Sequence, residues 1–227
     1  MHLFRPLWLL VLVLQTLGDE SWKVELARMP LGASQIHFFK SEPSKIILPA
    51  FKTNPVVKAI VFMPSATDEL YFNDRGSSVL TNSNATLLDA VFELTKHSGI
   101  QAIFRAPFLL LGETNDFSAA LLEPEGSPLF ESLREKPFTP EWLMIDKEWE
   151  QLYPTLKKYL GTRITPGVQS RDSWHFYRVS FAAHDLNALE AVELVSLATQ
   201  TEVEGEKHRL IFSRRVQSPP ARNVVQP

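Results

Sequence analysis

A diverged internal repeat restricts the folds open to this chain more than any other feature of its sequence. When the sequence is shifted by 101 positions, Thr86-Leu-Leu-Asp-Ala-Val91 aligns without a gap with Asn187-Ala-Leu-Glu-Ala-Val192. Further along, Leu109-Leu-Leu111 aligns with Leu210-Ile-Phe212. A repeat at a fixed spacing indicates that one supersecondary unit is built more than once. The matching positions are those expected in a core, so the chain is predicted to contain two similar packing units.

Each copy of the repeat is predicted to contain a helix with one buried face. The helices are expected from Leu87 to His97 and from Ala188 to Thr199, because their apolar residues recur at helical spacing. The two apolar stripes are Leu88, Val91 and Leu94 in the first copy, and Leu189, Val192 and Val195 in the second. A strand is expected before each helix and two strands after it, which gives two β-α-β-β units.

The ends of both helices carry the expected start and stop signals. Thr86 and Asn187 are favourable N-cap residues, and each is followed three positions later by an acidic residue, as in a capping box. Gly99 is suited to end the first helix, whereas Gln200 occupies the equivalent position in the second copy. Helix boundaries are therefore predicted more sharply here than anywhere else in the chain.

The remaining segments are predicted to be short strands and a helical connector. Residues 22–63 favour short strands interrupted by prolines, among them Lys45 to Leu48 and a buried strand from Val56 to Met63. Residues 116–161 are predicted to be helical, with a start at Thr139-Pro140-Glu141 and a kink or break at Pro154. The predicted fold class is α+β, with short mixed sheets, helices packed on one face, and two diverged units joined by a helical segment.

The N-terminal residues have the pattern of a secretory signal peptide. A short basic start at Arg5 precedes the apolar run Leu7 to Leu14, and small residues lead to a cleavage site near Gly18 and Asp19. The alternative is retention as an anchor, although the apolar run is shorter than a membrane span of about 20 residues. The expected divisions are a signal at 1–18, units at 19–115 and 162–217, a connector at 116–161 and a disordered tail at 218–227.

Charge and cysteine content narrow the classes of partner. Removal of residues 1–18 takes away Arg5 and no acid, which changes the formal charge from −3 to −4. This balance argues against nucleic-acid binding, which needs a basic footprint. The chain has no cysteine, so it uses no disulfide even outside the cytoplasm. After signal cleavage no integral membrane span is expected.

A family resemblance is carried by the two copies of the repeat. Ala182 to Ser213 resembles the short secretin and TonB N-terminal domain, and Asn84 to Glu113 resembles it too and keeps the break at Gly99. The resemblance implies a bacterial, envelope-associated interaction or assembly module without catalysis, in the periplasm or secreted, with an envelope protein as partner. In that family the domain precedes an outer-membrane ring, a barrel or a signalling segment, and no barrel follows here, so a transport role is not expected.

Catalytic, cofactor and metal motifs are not found in the sequence. It contains no zinc-protease histidine spacing, no nucleophile elbow and no glycine-rich phosphate loop. His184-Asp185 and the pair Asp172 and His175 could each supply a base with its orienting acid, but polar loops and a helix start are the favoured interpretation, because a triad is recognised by geometry and not by proximity in sequence. Asp146, Glu148 and Glu150 are interpreted as a solvated helix face. No catalytic residue, cofactor or metal ligand is therefore predicted.

The candidate partner-binding residues are aromatic. Trp142, Trp149 and Tyr159 recur at helical spacing and form a predicted stripe. The stripe could be a partner-binding ridge, because Trp and Tyr are common in interface hot spots. The favoured interpretation is that it packs in the core. Two other functions stay open: a secreted hydrolase whose site is assembled only in three dimensions, and a carrier of a small apolar ligand between the two units.

Overall fold

The described residues form helices and short mixed sheets, and the predicted α+β class is confirmed. The structure is a computed structural model that describes residues 20–32, 36–37, 43–52, 54–67, 79–80, 84–118, 127–166 and 178–214. In chain order the elements are α1 (residues 20–27), β1 (Ile36–His37), α2 (Pro43–Ala50), β2 (Ala59–Phe62), α3 (Pro64–Thr67), β3 (Val79–Leu80), α4 (Leu87–Ser98), β4 (Gln101–Arg105), β5 (Phe108–Gly112), α5 (Pro128–Arg134), β6 (Pro137–Phe138), β7 (Trp142–Glu148), α6 (Trp149–Leu160), β8 (Arg163–Pro166), β9 (Arg178–Ala183), β10 (Leu186–Asn187), α7 (Ala188–Thr199), β11 (Thr201–Glu206) and β12 (Arg209–Arg214).

A five-stranded mixed sheet lies at the centre, in the order β4-β5-β2-β9-β7. Strand β2 pairs in parallel with β5 and antiparallel with β9, so strands from both repeat copies share one sheet. All four residues of β2 are buried, as the continuous apolar sequence predicts. Val61 faces one hydrophobic core and Ile60 faces the other, so the sheet is covered on both sides.

Helix α4 covers one face of this sheet. Thr86 and Asp89 form the predicted capping box, and Gly99 adopts the left-handed conformation at the C-terminal end. Val91 and Leu94 are buried as expected, whereas Leu88 is only partly buried and Leu87 is fully buried. The buried stripe is therefore rotated slightly from the predicted one. Phe92, a position that the repeat does not preserve, is exposed.

Helix α7 lies on the opposite side of the central sheet and is almost entirely internal. Ten of its twelve residues are buried, because it contacts β2 and β9 on one side and the three-stranded sheet β11-β12-β8 on another. Its predicted capping box between Asn187 and Glu190 is present. Each repeat helix covers one face of its own hairpin, and together the two helices cover both faces of the central sheet.

The two repeat copies share the order helix, strand, strand and the register of the hairpin that these strands form. Ile103 pairs with Leu110 in β4-β5, and the positions 101 residues later, Glu204 and Ile211, pair in β11-β12. The last strand of each hairpin also pairs in parallel with an earlier strand, β5 with β2 and β12 with β8. The structural repeat therefore reaches further toward the N-terminus than the sequence match, to include β2 and β8.

Two segments near the N-terminus were predicted to be strands and are helices. Residues 20–27 form α1, in which Trp22 and Leu26 occupy one buried face at a spacing of four residues. Lys45 to Leu48 lies in α2, where Pro43 stands at the first position and Ile47 and Leu48 are buried. β-Formers in a short apolar run fit either structure, and here the helical face is the one that packs.

The predicted helical connector at 116–161 is wrong in its middle part. Trp142–Glu148 is strand β7 at the edge of the central sheet, and the helix begins only at Trp149 and continues past Pro154. A helix was expected to start at Thr139. Instead, Trp142 pairs with Ala183 of β9, so the backbone of this segment is paired within the sheet. The apparent helical spacing arose because apolar residues of a strand are followed directly by those of a helix.

Several predictions fall outside the described residues. These include the signal peptide at 1–18 and the tail at 218–227. The strand expected before the second repeat helix spans Trp174 to Ala183 in the sequence, and its part before Arg178 also lies outside the described residues. Among the helices that the structure does describe, none is long and apolar enough to cross a bilayer.

The buried face of α4 gives a direct test of its packing. We expect Leu87→Ala to lower the free energy of unfolding by about 2–5 kcal/mol, because it leaves a cavity in a fully buried site. Phe92→Ala, on the exposed face of the same helix, is the control and should cost less than about 1 kcal/mol. Urea unfolding of both variants measures the difference, and equal losses would contradict the assigned face.

Candidate functional site

The predicted aromatic stripe is not one face of a helix. Trp142 lies on strand β7, Tyr159 lies on α6, and Trp149 is the first residue of α6, with its side chain outside the described part of the structure. Trp142 is buried, so its assignment to an exposed partner-binding ridge is wrong. Strand geometry places it inward, because Trp142 pairs with Ala183 over the core that α7 fills.

Trp142 and Tyr159 nevertheless meet in one aromatic cluster. Their rings flank Phe138, with centroids 5.1 Å and 5.5 Å away, and Trp142 also meets Phe181 edge-on at 5.1 Å. Aromatic pairs at these distances contribute beyond the area that they bury. The cluster joins β6, β7, β9 and α6, so its first role is to hold the second half of the chain against the central sheet.

The indole N–H of Trp142 is a buried donor without an acceptor among the described residues. Leaving such a group unsatisfied costs about 1–3 kcal/mol, and each instance in a folded protein calls for an explanation. The surrounding rings supply no strong acceptor.

Charged side chains gather at the end of the central sheet where β2 begins and β9 ends. Lys58 Nζ lies 2.8 and 2.9 Å from the two carboxylate oxygens of Glu190, and the backbone N–H of Asn187 donates to the same carboxylate at 2.7 Å. Glu190 therefore caps α7 and also forms an ion pair with Lys58, the residue immediately before β2. Its oxygens are used in structural contacts, which argues against a role as a general base.

His184 stands next to this ion pair but does not complete a catalytic arrangement. Its Nδ1 lies 3.9 Å from Glu141 Oε1, which is longer than a hydrogen bond, and its ring packs against Phe51. Asp185, the predicted orienting acid, follows with a positive φ of 51° at the turn into β10. The described residues bring no nucleophile to this histidine, so the arrangement fits the loop polarity favoured from sequence.

The acids at positions 146, 148 and 150 do not form a helix face. Asp146 sits at a bulge in β7, where its N–H donates to Ser180 Oγ at 2.9 Å and its carboxylate pairs with Arg178. Glu148 ends the strand and Glu150 lies in α6. No cluster of three potential metal ligands occurs among the described residues. His175 lies outside them.

One polar contact that sequence reasoning missed joins the two repeat copies. Asp116 is buried in a 3-10 turn after β5, and its Oδ1 accepts a hydrogen bond of 2.5 Å from the Gln200 side chain. Its Oδ2 accepts from the Glu113 N–H at 2.9 Å. Gln200 holds the left-handed position where the first copy has Gly99. The sequence signal for this contact was the replacement of glycine by glutamine. Glutamine adopts the left-handed conformation less easily than glycine, but its side chain can form a hydrogen bond.

This contact predicts that the effect of Gln200→Gly on stability changes sign when Asp116 is also replaced. Gln200→Gly relaxes the left-handed backbone but removes a charge-assisted bond worth about 1.5–3 kcal/mol, so it should destabilise the protein. With Asp116→Ala already present, the same change should instead stabilise by about 1 kcal/mol, because only the backbone term remains. Chemical unfolding of the four proteins tests this, and an additive cycle would show that the two side chains do not interact.

Comparison of the chain with protein-family models, with curated proteins and with solved structures found no match. The resemblance to the secretin and TonB N-terminal domain therefore rests on the residues of the repeat and stays a prediction. The geometry itself offers two sets of groups with functional potential: the aromatic cluster around the Trp142 donor, and the outer strands of the two larger sheets.

Proposed function

We propose that this chain is an exported, envelope-associated module that binds or assembles with an envelope protein and carries out no catalysis. The observation that carries the proposal is the pair of β-α-β-β units with the same hairpin register. Those units are the part of the chain that resembles the secretin and TonB N-terminal domain. A repeated packing unit with matched helix caps favours a binding scaffold, since nothing in the matched positions is chemically reactive.

The arrangement of polar residues supports this reading over a hydrolase. A site assembled in three dimensions needs a base, an orienting group and a reacting atom at mutual hydrogen-bond distance. The best group in the described residues, Lys58, Glu190 and His184, is held by contacts that serve the helix cap and the sheet end. Strands β4 and β7 lie at the two ends of the central sheet as described, and sheet edges are surfaces to which extended segments of other proteins can add.

A small-ligand carrier is the second candidate, and the Trp142 donor favours it. A ligand with an apolar body and one acceptor oxygen would match an aromatic cluster whose indole N–H has no acceptor among the described residues. Native mass spectrometry of protein purified from its own cells should then detect a bound small molecule. Trp142→Phe keeps the ring and removes the donor, so it should release that molecule, whereas equal retention would contradict the role of the indole.

Export and partner binding are tested together in cells. The tagged full chain should be recovered outside the cytoplasm with a mass that starts near Asp19, and in-cell cross-linking should join it to one envelope protein. That complex should form again from the two purified components. His184→Ala is the control and should leave binding unchanged, because His184 contributes loop packing only.

Two results would contradict the proposal. One is a cytoplasmic protein that retains Met1. The other is an exported protein that loses its biological effect on His184→Ala while its thermal stability and partner binding are unchanged, which would favour the hydrolase.

A further inference from the structure

Basic side chains from three separate segments gather at one end of the three-stranded sheet. Residues 134–136 close α5, residues 157–163 close α6 and lead into β8, and residues 206–209 form the hairpin turn between β11 and β12. Together these segments contain seven basic and two acidic side chains, a formal charge of +5, whereas the whole chain carries −3. The rest of the chain therefore carries −8. We call the three segments the basic end.

Hydrogen bonds hold the segments of the basic end next to each other. Lys136 Nζ donates to the carbonyl oxygen of Leu160 at 2.7 Å, which joins the end of α5 to the end of α6. The N–H of Arg163 donates to the carbonyl oxygen of His208 at 3.2 Å, which joins the start of β8 to the hairpin turn. Because Leu160 and Arg163 are close neighbours in the chain, the cations of all three segments share one continuous surface.

Several of these cations are exposed and have no acidic partner. Lys157, Arg163 and Lys207 are exposed, and none of them forms an ion pair with a residue that the structure describes. Arg209, in contrast, pairs with Glu206 across the hairpin turn. The positive charge of this surface is therefore only partly neutralised within the molecule, and it is available to an anionic partner.

The composition of the basic end does not fit a protein partner. Four of its seven basic side chains are lysines, and lysine is depleted from protein interfaces, whose centres are apolar. The large apolar side chains that are exposed among the described residues are Val24, Phe92 and Leu143. They lie on α1, α4 and β7, and these elements contribute nothing to the basic end. An apolar anchor for a protein interface is therefore missing from this surface.

A nucleic acid fits no better. Proteins that bind single strands stack the bases on exposed aromatic rings. Tyr159 is the only Phe, Trp or Tyr of the three segments, and its ring packs against Phe138 at 5.5 Å and is covered by Lys158 Nζ at 5.0 Å. A long polyanion would also be repelled by the charge of −8 on the rest of the chain.

We propose that the basic end is a membrane-docking surface that binds the anionic phospholipid headgroups of a bilayer. Lysines at an exposed turn and an exposed helix end supply point charges on flexible stems, which suit a layer of many phosphates better than one fixed anion. Glu202 and Glu204 occupy exposed positions of β11 and are repelled by the same layer. The three-stranded sheet therefore meets the bilayer with its end and not with this face.

This inference goes beyond the proposed function, because the bilayer is a second partner and no envelope protein is needed for the contact. Vesicle binding by the purified protein can therefore fail while protein binding succeeds, and the reverse is also possible. The two proposals are tested separately.

Co-sedimentation with lipid vesicles tests the proposal on the protein purified from its own cells. We expect binding to vesicles of equal parts phosphatidylcholine and phosphatidylglycerol at low salt, and loss of this binding at high salt, because salt screens the attraction. Vesicles of phosphatidylcholine alone measure uptake that does not depend on charge, and binding to them should be much weaker. Equal binding to the two kinds of vesicle, or none to either, contradicts the proposal.

A pair of double variants tests whether the basic end makes the contact. Lys157→Gln with Lys207→Gln removes two exposed cations and should weaken binding about 25-fold, because each basic side chain at an anionic surface raises the affinity about fivefold. Lys96→Gln with Lys147→Gln makes the same change of charge at exposed positions of α4 and β7 and should leave binding nearly unchanged. Equal weakening by both pairs would mean that only net charge matters, which overturns the proposal.

A fluorescent label gives a second measurement that leaves every lysine and arginine in place. The chain contains no cysteine, so His208→Cys in the hairpin turn and Phe92→Cys on α4 can each carry one environment-sensitive dye. Anionic vesicles should shift the emission of the label at position 208 and not that at position 92. A shift at position 92 that equals or exceeds the one at 208, or no shift at either, refutes the docking surface. Binding of a single-stranded oligonucleotide through Lys157 and Lys207, without binding to anionic vesicles, refutes it as well.

Discussion

The burial of helix α7 is the constraint on which the rest of the structure depends. Only a helix that is apolar around nearly its whole circumference can separate two sheets, and only Glu190 and Glu193 of α7 are less than buried. Glu190 is only partly buried, because it caps the helix and also binds Lys58, the residue before β2. The ion pair thus fixes the position of the second repeat helix against a strand of the first half.

Departures from the repeat occur where the two halves touch. Gln200 replaces a glycine and reaches Asp116, which belongs to the turn after the first hairpin. Gly205 replaces the counterpart of Phe104, and a Cβ there would approach the Phe130 ring to 3.0 Å and Ser127 Oγ to 2.9 Å. In one copy the strand supplies its own aromatic side chain, and in the other α5 supplies it. Some sequence differences between the copies are therefore explained by the contacts that each copy makes with the rest of the molecule.

Local signals in the sequence predicted the repeat well, and nonlocal pairing accounts for the errors. The capping residues Thr86 and Asn187 fixed two helices nearly to the residue, because a cap acts within four positions. Nothing local in Trp142–Glu148 shows that it will pair with β9, and its apolar spacing runs on into α6. The same limit applies to the site residues. The burial of Trp142 is decided by Phe138 and Phe181, and Asp116 and Gln200 are far apart in the chain.

The pairing of β2 with β9 also sets the order in which the molecule can fold. Phe62 meets Ser180, more than a hundred residues later, so the central sheet cannot close until most of the chain is available. Contacts of such long sequence separation slow folding, since loop-closure entropy is lost before the strands gain their pairing. A chain with this topology stays open for longer during synthesis than one whose two units fold independently.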